Sequence, residues 1–247
     1  MSAYDVPDAA LSPREDFLAT MSDIWMGLGH PGTWWRGAER VAILEAARAA
    51  RDCDLCTRRR EALSPYTIDE RHTAGPELSA DLVDAVHRIS TDPGRLSQRW
   101  YEELLAAGVT PEQTVEMVGL IGVLTIGDTL SRACGASRLA VLPFAVAGEP
   151  SREHAVGTTL AGAWVPMVDP DSAEGELEMI YGMVREQAGF VFNVVRSLTA
   201  VPDAMRSFFG AFMPHYTTHG AVENAMLTRP QMEVLAATTS GLNDCFY

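Results

Sequence analysis

Apolar and polar residues nowhere alternate in the sustained two-residue period that is typical of a half-buried β-strand. The chain instead repeats the signals that begin helices. Ser12, Thr110 and Thr228 each stand at a predicted helix N-cap, and each is followed three residues later by a Glu or a Gln that completes a capping box. The absence of alternation and the recurrence of these caps together predict an all-α fold.

Glycine and proline mark where the predicted helices end. Asp92-Pro93-Gly94, Gly108 and Gly135 each follow a helical stretch. The segment after Gly37 lacks both Gly and Pro and is rich in good helix formers, which predicts one long helix. Helices are predicted over residues 35–63, 81–90, 97–107, 111–134, 176–199 and 202–226, with a further helix beginning after Thr228.

Residues 136–175 break the helical pattern, because prolines and glycines recur there at short intervals. We interpret this segment as an irregular connector between a first helical module, residues 1–135, and a second, residues 176–247. Aligning Cys53 with Cys245 also pairs Asp52 with Asp244, so the modules are interpreted as copies. The alternative is a long loop packed across a single domain.

Charge and hydropathy restrict the surroundings of the protein. The 247 residues include 19 basic residues, all of them Arg, against 33 acidic ones, giving a net charge of −14. Such a body repels nucleic acids and anionic membranes, so neither is expected as a partner. The longest uncharged apolar run, residues 117–127, falls short of the roughly 20 residues that span a bilayer. We see no secretory signal at the N-terminus and expect a cytoplasmic protein.

Cys53 and Cys56 fall within the predicted long helix, where a spacing of three residues puts both on one face. Nearby cations stabilise thiolates, which favours redox chemistry. Zinc needs two further ligands, and because no second Cys pair or His pair at finger spacing follows, no metal is expected. The alternative is two buried thiols that pack as small apolar side chains. The cations expected beside the pair are Arg51, Arg58, Arg59 and Arg60.

A second cysteine site is predicted at the C-terminus. Leu227 and Thr228 precede a helix that carries Glu233, and Cys245 follows Glu233 by twelve residues. This pattern resembles the alkylhydroperoxidase D and carboxymuconolactone decarboxylase-like superfamily of all-α redox proteins, in which Cys-x-x-Cys-x-x-x-His follows at this distance. The resemblance extends over residues 191–247.

The resemblance implies roles for these residues and an activity. In that family the second cysteine attacks the peroxide, the first resolves it, and Glu and His relay protons. Cys245 is then the resolving thiol and Glu233 the proton relay. The implied protein is a homo-oligomeric, thiol- or selenol-dependent peroxidase or disulfide oxidoreductase that takes electrons from a thiol protein or a small thiol. No nucleotide-binding loop is present, so no cofactor is expected.

Two departures from the family pattern leave alternatives open. In the first module, Val41 stands where the relay Glu is expected and Arg60 where the His is expected, so Cys53 and Cys56 are interpreted as a second, degenerate dithiol. The second module stops at Tyr247, before the second redox residue. We interpret this as a selenocysteine codon read as stop; a natural end or a cloning limit is the alternative. A decarboxylase-like or purely structural helical scaffold is the alternative function.

Overall fold

The computed structural model describes residues 4–212 and 227–243. This part of the chain is mostly helical, which confirms the all-α prediction, and its only strands are β1 (Thr158–Thr159) and β2 (Met167–Val168), which pair antiparallel. The helices are α1 (Glu15–Gly27), α2 (Gly37–Ala49), α3 (Asp54–Glu61), α4 (Ala80–Thr91), α5 (Gln98–Ala106), α6 (Pro111–Ala133), α7 (Gly175–Ala188), α8 (Asn193–Arg196), α9 (Pro202–Phe212) and α10 (Arg229–Leu242).

The single long helix predicted over residues 35–63 is wrong. The chain forms α2, a 3-10 turn at Ala50–Asp52 and then α3, and Cys53 between them is extended with φ −83° and ψ 118°. Good helix formers fill this stretch, but intrinsic propensity is a weak preference that tertiary packing overrides. Burial of Ala50 and Cys56 accompanies the break. Its consequence is that Cys53 becomes the N-cap residue of α3.

The helix predicted over residues 176–199 is also divided. Gly189 adopts φ +81°, a left-handed conformation that ends α7, and α8 follows as a separate short helix. The helix predicted from residue 202 is described as α9 as far as Phe212, and the rest of that range lies outside the described residues. The predictions for α4, α5 and α6 are correct to within one residue at each end.

Helix α6 lies at the centre of the core and contacts α2, α4 and α9. Its glycines permit close approach, since a Cβ at Gly119 would lie 2.8 Å from the Cβ of Ala204 on α9, and one at Gly127 would lie 2.7 Å from the ring of Trp25 on α1. Within the described ranges, α6 alone is long and apolar enough to cross a membrane, and 67% of its most apolar window is buried inside the protein.

The segment 136–175 is irregular apart from β1 and β2, and it runs against the chain that links α1 to α2. Three backbone N–H groups, those of Val146, Ser151 and Arg152, donate to carbonyl oxygens of residues 29, 32 and 33 over 2.8–3.1 Å. The segment therefore packs on the linker between α1 and α2, and its Val168 N–H also donates to the Thr199 hydroxyl, between α8 and α9, over 2.9 Å. The division at 1–135, 136–175 and 176–247 and the duplication stay predictions, because these contacts do not test them.

One acid is buried where α6 meets α2. The Glu116 side chain is fully buried and accepts a hydrogen bond of 2.6 Å from the Trp34 backbone N–H. Arg40, 3% exposed, lies 3.5 Å from the Glu116 carboxylate and also donates to Asp203 over 3.0 Å. Burial raises the pKa of Glu116 to about 7, although the Arg40 charge and the Trp34 N–H act in the opposite direction. Glu116 and Arg40 thus form a desolvated acid–base pair at this junction.

Replacing Gly37 with alanine is expected to destabilise the protein. The added Cβ would collide with the backbone carbonyl oxygens of Gly29 and Val146, which cannot rotate away as a side chain can. We expect the free energy of unfolding to fall by about 1–3 kcal/mol, measured by urea denaturation. The matched control is Gly182→Ala on α7, where a Cβ meets no described atom within 4 Å. That change should stabilise by about 0.5–1 kcal/mol, and equal losses in both variants would contradict the packing explanation.

Candidate thiol and imidazole site

Three segments bring two thiols and two imidazoles together. Cys53 is the N-cap of α3, and Cys56 lies one turn further along the same helix. His72 comes from the irregular segment between the 3-10 turn Pro65–Thr67 and α4, and His87 lies within α4. Cys56 and His87 are buried, the His72 side chain is 7% exposed, and Cys53 is half-buried and reaches the surface.

The four side chains converge on one point. Cys53 Sγ lies 3.5 Å from His72 Nε2, and Cys56 Sγ lies 3.4 Å from the same nitrogen. Cys56 Sγ also lies 3.3 Å from His87 Nδ1. All four sulfur and nitrogen atoms lie within 4.8 Å of one another. Both cysteines are free thiols in this arrangement.

A carboxylate orients one of the imidazoles. His72 Nδ1 lies 2.8 Å from Asp84 Oδ1, and Arg59 pairs with the same carboxylate. A carboxylate on Nδ1 favours a proton on that nitrogen and fixes the orientation of the ring, so that Nε2 faces the sulfurs. The Cys, His and Asp groups therefore form a continuous polar chain from the half-buried Cys53 to α4.

The two imidazoles have opposite electrostatic surroundings. Burial lowers the pKa of His72, but hydrogen bonds with Asp84, Cys56 and Cys53 outweigh it and raise that pKa to about 10. Burial, followed by the charge of His72, lowers the pKa of His87 to about 4. Burial raises the pKa of Cys53, yet hydrogen bonds from the backbone of Cys56 and from His72 lower it overall.

Three of the four arginines predicted to activate the thiols form ion pairs or hydrogen bonds with other groups. Arg58 forms an ion pair with Glu70, and Arg59 pairs with Asp84. Arg60 Nη2 lies 3.4 Å from the Thr57 hydroxyl, and burial lowers the pKa of Arg51. The side chains within hydrogen-bond distance of both sulfurs belong to histidines. Imidazole nitrogens thus lie within hydrogen-bond distance of both sulfurs, while the charge of Arg58 interacts with Cys53.

The predicted C-terminal site is only partly described. Glu233 lies on α10, is 45% exposed and forms an ion pair with Arg229 one turn earlier. Cys245 lies outside the described residues, so its predicted proximity to Glu233 stays a prediction. Cys134, the remaining cysteine, is buried at the end of α6 and is a free thiol.

Sequence reasoning missed both histidines of the site. Zinc was not expected because no second Cys pair or His pair at finger spacing follows Cys56, yet the fold brings His72 and His87 to the thiols from 16 and 31 residues beyond Cys56. The available signal was weak: one His in a polar irregular stretch and one on an apolar helix face. Their spacing matches no common finger pattern.

Comparison of the chain with protein-family models, with curated proteins and with solved structures found no match.

Proposed function

We propose that Cys53 and Cys56 form a dithiol–disulfide redox centre through which the protein reduces hydroperoxides. The observation that carries the proposal is that both sulfurs lie within 3.5 Å of one imidazole nitrogen, His72 Nε2. A thiol needs a nearby group that exchanges its proton before it acts as a nucleophile. The second imidazole, His87, contacts Cys56 alone.

The unequal exposure of the two sulfurs supports different roles. Cys53 is half-buried and caps the N-terminus of α3, where the helix dipole favours negative charge. Cys56 is only 3% exposed and lies one turn inside. In the proposal Cys53 attacks the substrate and Cys56 resolves the product. This order differs from that of the family which the C-terminal motif resembles, where the second cysteine attacks.

The proposed reaction consumes one hydroperoxide per dithiol. The Cys53 thiolate attacks the terminal peroxide oxygen, the O–O bond breaks, and the alkoxide leaves with a proton as an alcohol. Cys53 is then a sulfenic acid. The Cys56 thiolate attacks its sulfur, the hydroxyl leaves with a proton as water, and a Cys53–Cys56 disulfide remains. A protein thiol or a low-molecular-weight thiol returns two electrons and two protons by exchange.

The proposal includes a cellular setting. A dithiol that must be returned to its reduced form fits the reducing cytoplasm, where free cysteines persist. Homo-oligomers are proposed only from the family resemblance. The net charge of −14 supports small molecules and thiol reductants, rather than nucleic acid, as partners.

Trypsin provides a direct test of bridge formation. The enzyme cuts after Arg51 and Arg58 and releases residues 52–58, which contain Cys53 and Cys56 and no other cysteine. Treatment of the reduced protein with cumene hydroperoxide, followed by alkylation and digestion, should yield this peptide unalkylated and about 2 Da lighter than the dithiol form. Addition of dithiothreitol should restore two alkylation sites.

Substitutions distinguish a redox centre from a structural scaffold. Cys53→Ser should abolish peroxide consumption by this pair, and Cys56→Ser should leave a sulfenic acid on Cys53 that dimedone traps. Cys134→Ala serves as the control, because it removes a thiol outside the site. Recovery of the doubly alkylated peptide after peroxide treatment would refute the proposal and favour the structural scaffold, in which both thiols only pack.

A further inference from the structure

We infer that Cys53, Cys56, His72 and His87 are the four ligands of a tetrahedral Zn²⁺ site. The ligand atoms are Sγ of each cysteine, Nε2 of His72 and Nδ1 of His87. This inference goes beyond the redox proposal and does not depend on it, because the four side chains offer the same ligand set whether or not the thiols turn over.

The distances between ligand atoms match those of a zinc tetrahedron. Zn–S bonds of about 2.3 Å and Zn–N bonds of about 2.0–2.1 Å place sulfur and nitrogen about 3.5 Å apart when the angles are tetrahedral. The three S···N distances of the site are 3.3, 3.4 and 3.5 Å. The four atoms lie within 4.8 Å of one another, so an ion bound between them would draw the widest pair together by at most about 1 Å.

Hydrogen bonding alone does not account for this convergence. His72 Nε2 carries either one lone pair or one proton, yet it faces both Cys53 and Cys56 at nearly equal distances. Cys56 Sγ in turn faces His72 and His87 together. Four groups directed at one point are satisfied simultaneously by a cation that accepts a lone pair from each.

Residues around the ligands complete a familiar metal-site pattern. Asp84 holds His72 Nδ1 at 2.8 Å, so that Nε2 is left to bind the ion, and Arg59 holds Asp84 in turn. Carboxylate–histidine–metal arrangements of this kind orient the ligand and increase its basicity. Two thiolates neutralise the charge of Zn²⁺, which permits burial of the complete site.

The site would join segments that the core holds weakly. Most side chains between residues 62 and 79 are exposed or half-buried, and the regular structure there is limited to the 3-10 turn Pro65–Thr67. A zinc ion would tie His72 of this segment to α3 and α4. Four protein ligands leave no open coordination position, which is typical of structural zinc. The Cys53–Cys56 disulfide and bound zinc would then be mutually exclusive states.

Cobalt substitution tests the inference on the intact chain. The reduced protein is freed of metal with EDTA under anaerobic conditions, exchanged into metal-free buffer and titrated with Co²⁺. We expect saturation at one equivalent, the intense visible bands of tetrahedral cobalt and a thiolate charge-transfer band in the near ultraviolet. Zn²⁺ should bleach both. Weak octahedral bands, or the absence of a thiolate band, would overturn the inference.

Variants locate the ligands. His87→Phe keeps a ring of similar size and should weaken zinc binding at least about 100-fold in competition with a chromophoric chelator, and Cys56→Ser should do the same. The matched controls are His30→Gln and Cys134→Ala, which should bind zinc as the unmodified protein does. Circular dichroism checks that each variant is folded. Equal affinity of folded His87→Phe and the controls would exclude His87 as a ligand.

Asp84→Asn should weaken zinc binding about 10–100-fold. The cobalt spectrum should remain that of a tetrahedral ion, because Asp84 orients His72 and does not itself bind the metal. Glu70→Gln is the control, since Glu70 pairs with Arg58 and is exposed. Unchanged affinity in Asp84→Asn would contradict the role assigned to the carboxylate.

The zinc proposal and the redox proposal can be refuted independently of each other. Metal-free His87→Phe should still form the bridged 52–58 peptide with peroxide although it no longer binds zinc. Cobalt bands in a chain that never forms the bridge would refute the redox proposal and leave the zinc site in place. Bridge formation in a chain without cobalt bands would do the reverse.

Discussion

Saturation with zinc should raise the free energy of unfolding by about 4 kcal/mol when free zinc exceeds Kd about 1,000-fold, relative to the metal-free chain. The physical reason is that the four ligands meet only in the folded state, so binding energy becomes folding energy. Urea denaturation of the reduced protein, with zinc or with EDTA, measures the difference. Hydrogen exchange should show the largest zinc-dependent protection between residues 53 and 87.

Two comparisons make this result specific. His87→Phe should keep at most about 1.4 kcal/mol of this difference, because a site weakened 100-fold is only about 10-fold above its Kd at the same free zinc. Cys134→Ala should keep the full zinc effect, since Cys134 lies outside the cluster. A zinc effect of undiminished size in His87→Phe, or one that is absent from the unmodified chain, would contradict the prediction.

Replacing Arg40 with methionine should lower the free energy of unfolding by about 1–3 kcal/mol at about pH 8. Methionine fills much of the volume of the arginine stem but leaves the fully buried Glu116 without its cation. Glu116 avoids an uncompensated charge by taking up a proton, which costs about 1.4 kcal/mol at this pH because its pKa with Arg40 in place is about 7. Arg36→Met is the matched control, because Arg36 and its partner Glu149 are both exposed, and it should cost at most about 1 kcal/mol.

The pH dependence of stability gives an independent check on the same junction. The folded pKa of Glu116 is about 7, above its ordinary value of 4.5, so the folded protein holds this proton more tightly than the unfolded chain. Its contribution to stability is therefore complete below about pH 4.5 and is lost as the pH rises through about 7. Glu116→Gln should flatten this decline. If the urea midpoints of the unmodified protein and of Glu116→Gln show the same dependence on pH, Glu116 is not the group responsible.

Several elements of the fold follow from local sequence. The capping box formed by Thr110 and Gln113 is present, and α6 begins at Pro111, as predicted. The prediction of a single helix over residues 35–63 is wrong because tertiary packing overrides the local preference there. Its composition favours one continuous helix, and nothing local shows that packing forces the chain into an extended conformation at Cys53.

Half of the candidate site was visible in the sequence. The Cys-x-x-Cys spacing identifies Cys53 and Cys56, because two cysteines three residues apart lie close together in a helical segment whatever the tertiary packing. His72 and His87 could not be assigned, because their proximity depends on how α4 packs against the end of α2 and on the course of residues 62–79. Contacts of this kind are tertiary, and a single sequence does not display them.

The small residues of α6 bear on how the chain can be divided. Gly119 and Gly122 admit Ala204 and Phe208 of α9 so closely that even one extra carbon at either glycine would lie under 3 Å from its neighbour. Dividing the chain anywhere between residues 136 and 175 would expose the contacting faces of α6 and α9 to water, one on each fragment. The half that carries the Cys and His cluster would then present a long apolar stripe, so studies of the cluster call for the undivided polypeptide.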